Sequence, residues 1–206
     1  EWPQPIEVVL ALPEPRPGWT DGDAERVARE LGGLMLPRLG RLHVTLGAQG
    51  HAGVLAEMDA AARRIASGEL ELCIVGGVDS NFDTDTIEWL ERNSQLALED
   101  VPIGFSPGEG AGFVVLERLE DALASGRTIL GVIRGAGLSN DGRGRGMLAP
   151  SAEGQVRAMR TAYEGAGIDP RAVQYVECHA TGTGAAPATT PARSRRSGGS
   201  GRWWHR

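Results

Sequence analysis

The sequence predicts an α/β domain built on a mixed or parallel sheet. Short runs rich in Val, Ile and Leu alternate with longer segments whose apolar residues recur at helical spacing. Gly and Pro punctuate short loops between them. The chain has 206 residues, 41% hydrophobic and 23% charged, ordinary globular usage that argues against wholesale disorder.

Each element has its own warrant. Ile6–Leu12 is a β-branched apolar run closed by Pro13, Pro15 and Pro17, so a buried strand is expected. Thr20 and Asp21 offer N-caps to a helix with Ala24, Val27, Ala28 and Leu31 on its apolar face, ended by Gly32-Gly33. Leu42–Leu46 is the next strand and Gly47–Gly50 a turn. His51–Ser67 is a long helix, with Leu55, Met58, Ala62 and Ile65 at helical spacing and Gly68 after its end. Leu70–Val75 is a strand expected to stop at Gly76-Gly77, and Thr84–Arg92 a helix. Gly104–Gly112 is expected as a glycine-dense loop before the strand Phe113–Leu116. Leu119–Ser125 is helical, Ile129–Arg134 extended, and Asn140–Gly146 a Gly-Arg loop. Ser151 caps a helix over Glu153–Glu164 that Gly165-Ala166-Gly167 ends, and Val173–Glu177 is the last strand.

Charge and cysteine usage narrow the function classes. All 21 basic residues are Arg, and five of them lie in residues 187–206, which carry no acid. The body keeps 16 Arg against 27 Asp and Glu, a net charge of −11, which argues against nucleic acid as a partner. No apolar run approaches the roughly 18 residues of a membrane span, and the opening Glu1-Trp2-Pro3 has no leader character. Cys73 and Cys178 stand 105 positions apart, neither a disulfide framework nor zinc-ligand spacing. No metal or cofactor is expected, and the setting expected is reducing and cytoplasmic.

Four stretches carry the chemistry: Leu72-Cys73-Ile74-Val75-Gly76-Gly77-Val78-Asp79-Ser80; Phe105-Ser106-Pro107-Gly108-Glu109-Gly110-Ala111-Gly112 before Val114-Val115-Leu116-Glu117; Ile133-Arg134-Gly135-Ala136-Gly137 leading to Asn140-Asp141-Gly142; and Tyr175-Val176-Glu177-Cys178-His179-Ala180-Thr181-Gly182-Thr183. In this order and at these separations they resemble the β-ketoacyl synthases, condensing enzymes of the thiolase-like fold, over residues 42–184. The resemblance implies a layered α/β fold of two similar halves. Residues 1–118 would supply most of the N-terminal half and 119–184 the start of the C-terminal half.

The activity implied is decarboxylative condensation of acyl and malonyl thioesters in fatty-acid or polyketide biosynthesis. A Cys at a helix N-terminus would take the acyl chain, since that position lowers a thiol pKa and supplies oxyanion donors. Two histidines would support decarboxylation. Acyl-carrier protein or acyl-coenzyme A thioesters are the partners implied, with homo- or hetero-dimerisation with a ketosynthase.

Residue by residue, His179 stands where the family places its first catalytic histidine. Counted back without a gap from Gly76-Gly77, the nucleophile position falls on His51, and imidazole holds no stable thioester. Neither Cys is placed to substitute; both read as small buried hydrophobes. Gly108, Glu109, Gly110, Thr181 and Thr183 would shape the site, with Glu109 fixing its loop through backbone hydrogen bonds rather than acting as a base. Arg134, Arg143 and Arg145 read as a solvated loop or as contacts to an acidic carrier protein or a phosphopantetheine phosphate. The chain is therefore expected not to be competent alone, the alternative being a silent acyl-binding or chain-length-factor-like partner.

The Gly-Asp-Pro and the Lys that the family implies after His179 do not occur in the chain, and its second His is not matched, the one later histidine being His205 in the tail. Residues 185–206, Arg-, Ser- and Gly-rich with a Trp pair, have the composition of a disordered tail. Pro187-Ala188-Thr189 is what a one-base shift makes of Ala-Gly-Asp codons, so the tail is expected to be out of frame. A partial fold of this kind should expose apolar surface and aggregate unless it pairs with another subunit.

Overall fold

A computed structural model describes residues 6–36, 40–47, 49–97, 104–140 and 151–177. The chain divides into two compact units, Glu1–Ser94 with Pro107–Ile133, and Gln95–Ser106 with Arg134–Arg206.

The first unit is a five-stranded mixed sheet with helices on both faces. Its elements are β1 (Ile6–Ala11), α1 (Asp21–Gly32), β2 (Met35–Leu36), β3 (Gly40–Leu46), α2 (Gly53–Ala66), β4 (Leu72–Ser80), α3 (Thr84–Arg92), β5 (Glu109–Glu117) and α4 (Leu119–Ala124). The strand order is β2-β3-β1-β4-β5. Strand β1 is central and parallel to both neighbours, with Val8 opposite Val44 and Ile74. The outer strands β2 and β5 run antiparallel.

Burial of β1 on both faces explains its continuous apolar run. Alternate residues feed two cores. Val9, Cys73 and Val75 pack under Ala61 and Ile65 of α2. On the other face Leu10 and Leu12 meet Ala24 of α1, with Val27, Leu31 and Val44 beside them. Helix α1 starts where Thr20 predicts: the Thr20 hydroxyl accepts from the Asp23 amide at 3.3 Å, and the Asp23 carboxylate accepts from the Thr20 amide at 2.9 Å, a reciprocal cap.

Two glycine-rich boundaries differ from expectation. Strand β4 does not stop at Gly76-Gly77 but runs on to Ser80. Strand β5 starts at Glu109 rather than Phe113, so Glu109 and Gly110 belong to a strand and only Gly108 stays in the loop before it. In β4 the reason is close packing. A Cβ on Gly76 would collide with the Phe113 ring and come within 2.6 Å of the Gly112 carbonyl. A Cβ on Gly77 would sit 2.7 Å from Val54 of α2 and 3.1 Å from the Ala11 carbonyl. The glycines admit a cross-strand ring and a helix instead of breaking the strand. The two-residue β2 was not expected.

In the second unit, α5 (Ala152–Ala166) is capped by Ser151, whose hydroxyl accepts from the Gly154 amide at 3.2 Å, and ends at Gly167 in the left-handed region (φ 63°). A short 3₁₀ turn follows at Pro170–Ala172. Gly135 and Gly137 lie directly on α5; a Cβ on Gly137 would meet the Ala158 carbonyl and stand 2.7 Å from the Ala162 nitrogen. The strands expected at Ile129–Arg134 and Val173–Glu177 join no sheet among the described residues. Neither has a neighbouring strand among the described residues to satisfy its backbone, and Leu130 is 98% exposed. No helix among the described residues is long and apolar enough to cross a membrane.

Candidate functional site

The parallel strands β1, β3 and β4 deliver their following loops to one edge of the sheet in the first unit, the edge where open α/β sheets collect ligands. Strand β5, antiparallel, begins there. Four segments converge: the loop 12–20 after β1, the turn residues 47 and 49–52 after β3, the end of β4 at Asp79-Ser80, and Gly108-Glu109.

His51 lies in the turn that leads into α2. Gly50 precedes it at φ 86°, a conformation that favours glycine, and the Gly53 amide donates to the Gly50 carbonyl at 3.0 Å. The side chain of His51 is exposed. Helix α2 follows, with Ala52 at its N-cap, no side-chain cap and no acid in the first turn, so the positive end of the dipole is open. Helix α2 begins two residues later than the sequence predicts and leaves His51 in the turn. The turn is held from below by the Gly47 amide donating to the Leu10 carbonyl at 3.0 Å and the Gly50 amide donating to the Leu12 carbonyl at 3.1 Å.

Arg16, which the sequence did not single out, ties this edge together. One guanidinium nitrogen donates to Asp79 Oδ1 at 2.6 Å and to the Ser80 carbonyl at 2.7 Å, and the second donates to Asp79 Oδ2 at 3.4 Å. Its Nε is buried without a partner among the described residues. The Ser80 hydroxyl donates to Glu109 Oε2 at 3.1 Å. The Glu109 carboxylate is thus held by a side-chain bond to the neighbouring strand, and no backbone amide among the described residues donates to it as expected. The Gly108 carbonyl accepts from the Asn81 amide at 3.0 Å. Only the order Pro-Glu-Pro-Arg-Pro hinted at Arg16, since a loop poor in amide donors must be anchored by side chains.

The remaining expectations separate. Cys73 is fully buried in the core under α2. Burial, aided by the nearby Glu7 charge, pushes its thiol up to about 11, away from nucleophilic use. Cys178, His179, Thr181, Thr183, Arg143 and Arg145 lie outside the described residues. Arg134 is exposed. No cluster of three or more His, Cys, Asp or Glu among the described residues could hold a metal ion.

This geometry has relatives. The model of the β-ketoacyl synthase N-terminal domain matches residues 44–122, and that of the C-terminal domain residues 130–188. The chain is 36% identical over 148 residues to the reducing polyketide synthase rads1 of Floropilus chiversii, covering 68% of this chain and 6% of that protein. It is 39% identical over 130 residues to polyketide synthase PksL of Bacillus subtilis, covering 60% of this chain and 3% of that protein. Among solved structures, the ketosynthase from module 6 of the bacillaene synthase of Bacillus subtilis superposes with a TM-score of 0.66 at 27% identity, over 87% of this chain and 34% of that one. The chain therefore spans about a third of a solved ketosynthase and under a tenth of these synthases. The two domain matches in sequence order and the superposition on a solved ketosynthase agree: this chain belongs to the β-ketoacyl synthase family, with its thiolase-like α/β fold.

Proposed function

We propose that this chain is a ketosynthase-type component of polyketide or fatty-acid biosynthesis that engages acyl or malonyl thioesters without carrying the acyl group covalently. The observation that carries the reading is His51, standing in the turn before α2 where the family resemblance places the nucleophilic Cys. A thiolate there would attack the thioester carbonyl, expel the carrier thiolate, which takes up a proton, and keep the acyl group as a thioester. An imidazole at the same place gives at most an acyl-imidazole that water cleaves. His51 also favours a second reading of the same site, a silent acyl-binding partner of an active ketosynthase. Acyl-carrier protein or acyl-coenzyme A thioesters are the proposed ligands, His179 the proposed decarboxylation histidine, and Thr181, Thr183, Gly108 and Gly110 the proposed surroundings.

Intact-mass spectrometry after incubation with octanoyl-coenzyme A tests the covalent half. The native chain should show no octanoyl adduct, and His51→Cys should gain one, mapped to position 51 and removed by hydroxylamine. A stable adduct on the native chain, or no adduct on a folded His51→Cys variant, overturns the reading. Release of labelled carbon dioxide from malonyl-coenzyme A separates the two forms: a decarboxylating chain releases it, and a silent partner does not.

A further inference from the structure

Outside the His51 turn, the first unit holds a proline-rich loop fastened by side chains. The loop 12–20 joins the His51 turn to the β4–β5 corner, and it reads Leu12-Pro13-Glu14-Pro15-Arg16-Pro17-Gly18-Trp19-Thr20. Three prolines remove three amide donors. The Arg16 and Trp19 amides are spent on each other's carbonyls, at 2.9 Å each. What fastens the loop beyond Leu12 outward is therefore side-chain chemistry: the Arg16 fork on Asp79 and the Ser80 carbonyl, and the buried Thr86 hydroxyl donating to the Pro17 carbonyl at 2.7 Å.

The same loop reaches the His51 turn at its other end. The Leu12 carbonyl accepts from the Gly50 amide at 3.1 Å, and a Cβ on Gly50 would lie 2.9 Å from Glu14 Oε1. Arg16 thus stands between two places that bear proposed site residues: the turn of His51, and the corner where Ser80 holds Glu109. Its fork geometry matters because a planar guanidinium engages a carboxylate and a carbonyl together, which an ammonium cannot do in the same plane.

We propose that Arg16 is a positioning residue: its grip on Asp79 and Ser80 sets the register of the loop 12–20 and, through Leu12 and Glu14, of the turn that presents His51. The functional weight of this latch rests on the reading that the His51 turn is the thioester site.

Two amides supply the test, because one bonds to the end of β1 and the other, three residues on, to the loop that follows it. The Gly47 amide bonds to Leu10 within β1, and the Gly50 amide to Leu12 at the root of the loop. Amide hydrogen exchange followed by NMR on the full chain should show Gly50 exchanging about tenfold faster in Arg16→Ala, with Gly47 and the β4 amides unchanged. Arg16→Lys should fall between Ala and the native residue. Unchanged Gly50 exchange, or an equal rise at Gly47, Gly50 and β4 alike, overturns the proposal, the second by showing general destabilisation. In a His51→Cys background, Arg16→Ala should slow octanoyl transfer to position 51 at an unchanged unfolding midpoint; equal rates remove the functional role. Should His51→Cys take no acyl group at all, the thioester reading fails, while the exchange of Gly50 still decides the latch.

Discussion

Cys73 shows how one side chain reports its surroundings. It sits on β4 facing Val9, Ala61 and Ile65, fully buried, and its thiol is pushed up from 9.0 to about 11, first by burial and then by the charge of Glu7. A raised thiol pKa means that the folded state keeps its proton where the unfolded state has lost it. Stability from this group is therefore intact below about pH 9 and declines between about 9 and 11, with a slope near 1.4 kcal/mol per pH unit. Urea unfolding at pH 8 and pH 10 should show the native chain losing stability across that interval and Cys73→Ala losing less. Equal losses would mean that Cys73 is not the group responsible. The same burial predicts that iodoacetamide leaves Cys73 unmodified at pH 8 until urea unfolds the chain.

Among elements, the helices were the most legible because their ends are written in local chemistry. Thr20 was an N-cap by residue type, and its hydroxyl bonds to the Asp23 amide. The hydroxyl and amide of Thr20 in turn hold the Asp23 carboxyl below its usual range. Thr20→Ala should cost about 1 kcal/mol in urea unfolding, and Thr20→Ser much less; equal costs would mean that the cap hydroxyl is not the cause. Ser151, Gly68 and Gly167 were readable for the same reason, each side chain or left-handed backbone answering a need one turn away. Strand ends were less legible. Gly76-Gly77 and Gly110-Ala111-Gly112 carry no β propensity: at Gly76 and Gly77 the Phe113 ring and Val54 occupy the space that missing Cβ atoms leave, and Gly110-Ala111-Gly112 is strand because it pairs with Gly77-Val78-Asp79. The Arg16–Asp79 pair spans 63 positions, so no window of sequence contains it. Ile129–Arg134 and Val173–Glu177 have strand composition but no paired neighbour among the described residues, and composition alone cannot supply one. At the site, the motif order located His51, but the turn that leaves it outside α2 depends on Gly50 and its bond to Leu12.

For the molecule as a whole, solubility is decided by what the sheet leaves uncovered. The chain carries a net charge of −6, which disfavours self-association, yet β5 is a nine-residue outer strand with Phe113 46% and Val115 61% exposed. Long apolar edge strands template pairing with other chains, and natural sheets guard them with charge. Neighbouring residues of β5 point to opposite faces, which permits a controlled comparison. Val115 faces solvent, whereas Leu116 packs against the core of Val9, Cys73 and Val75. Val115→Lys should lower the aggregated fraction in sedimentation velocity while changing stability by less than about 0.5 kcal/mol. Leu116→Lys, one residue on, should place an unpaired charge against that core and cost several kcal/mol. If Val115→Lys leaves aggregation where it was, the exposed face of β5 is not what drives association. If both substitutions cost the same stability, β5 does not present alternate faces to solvent and core as the structure has it.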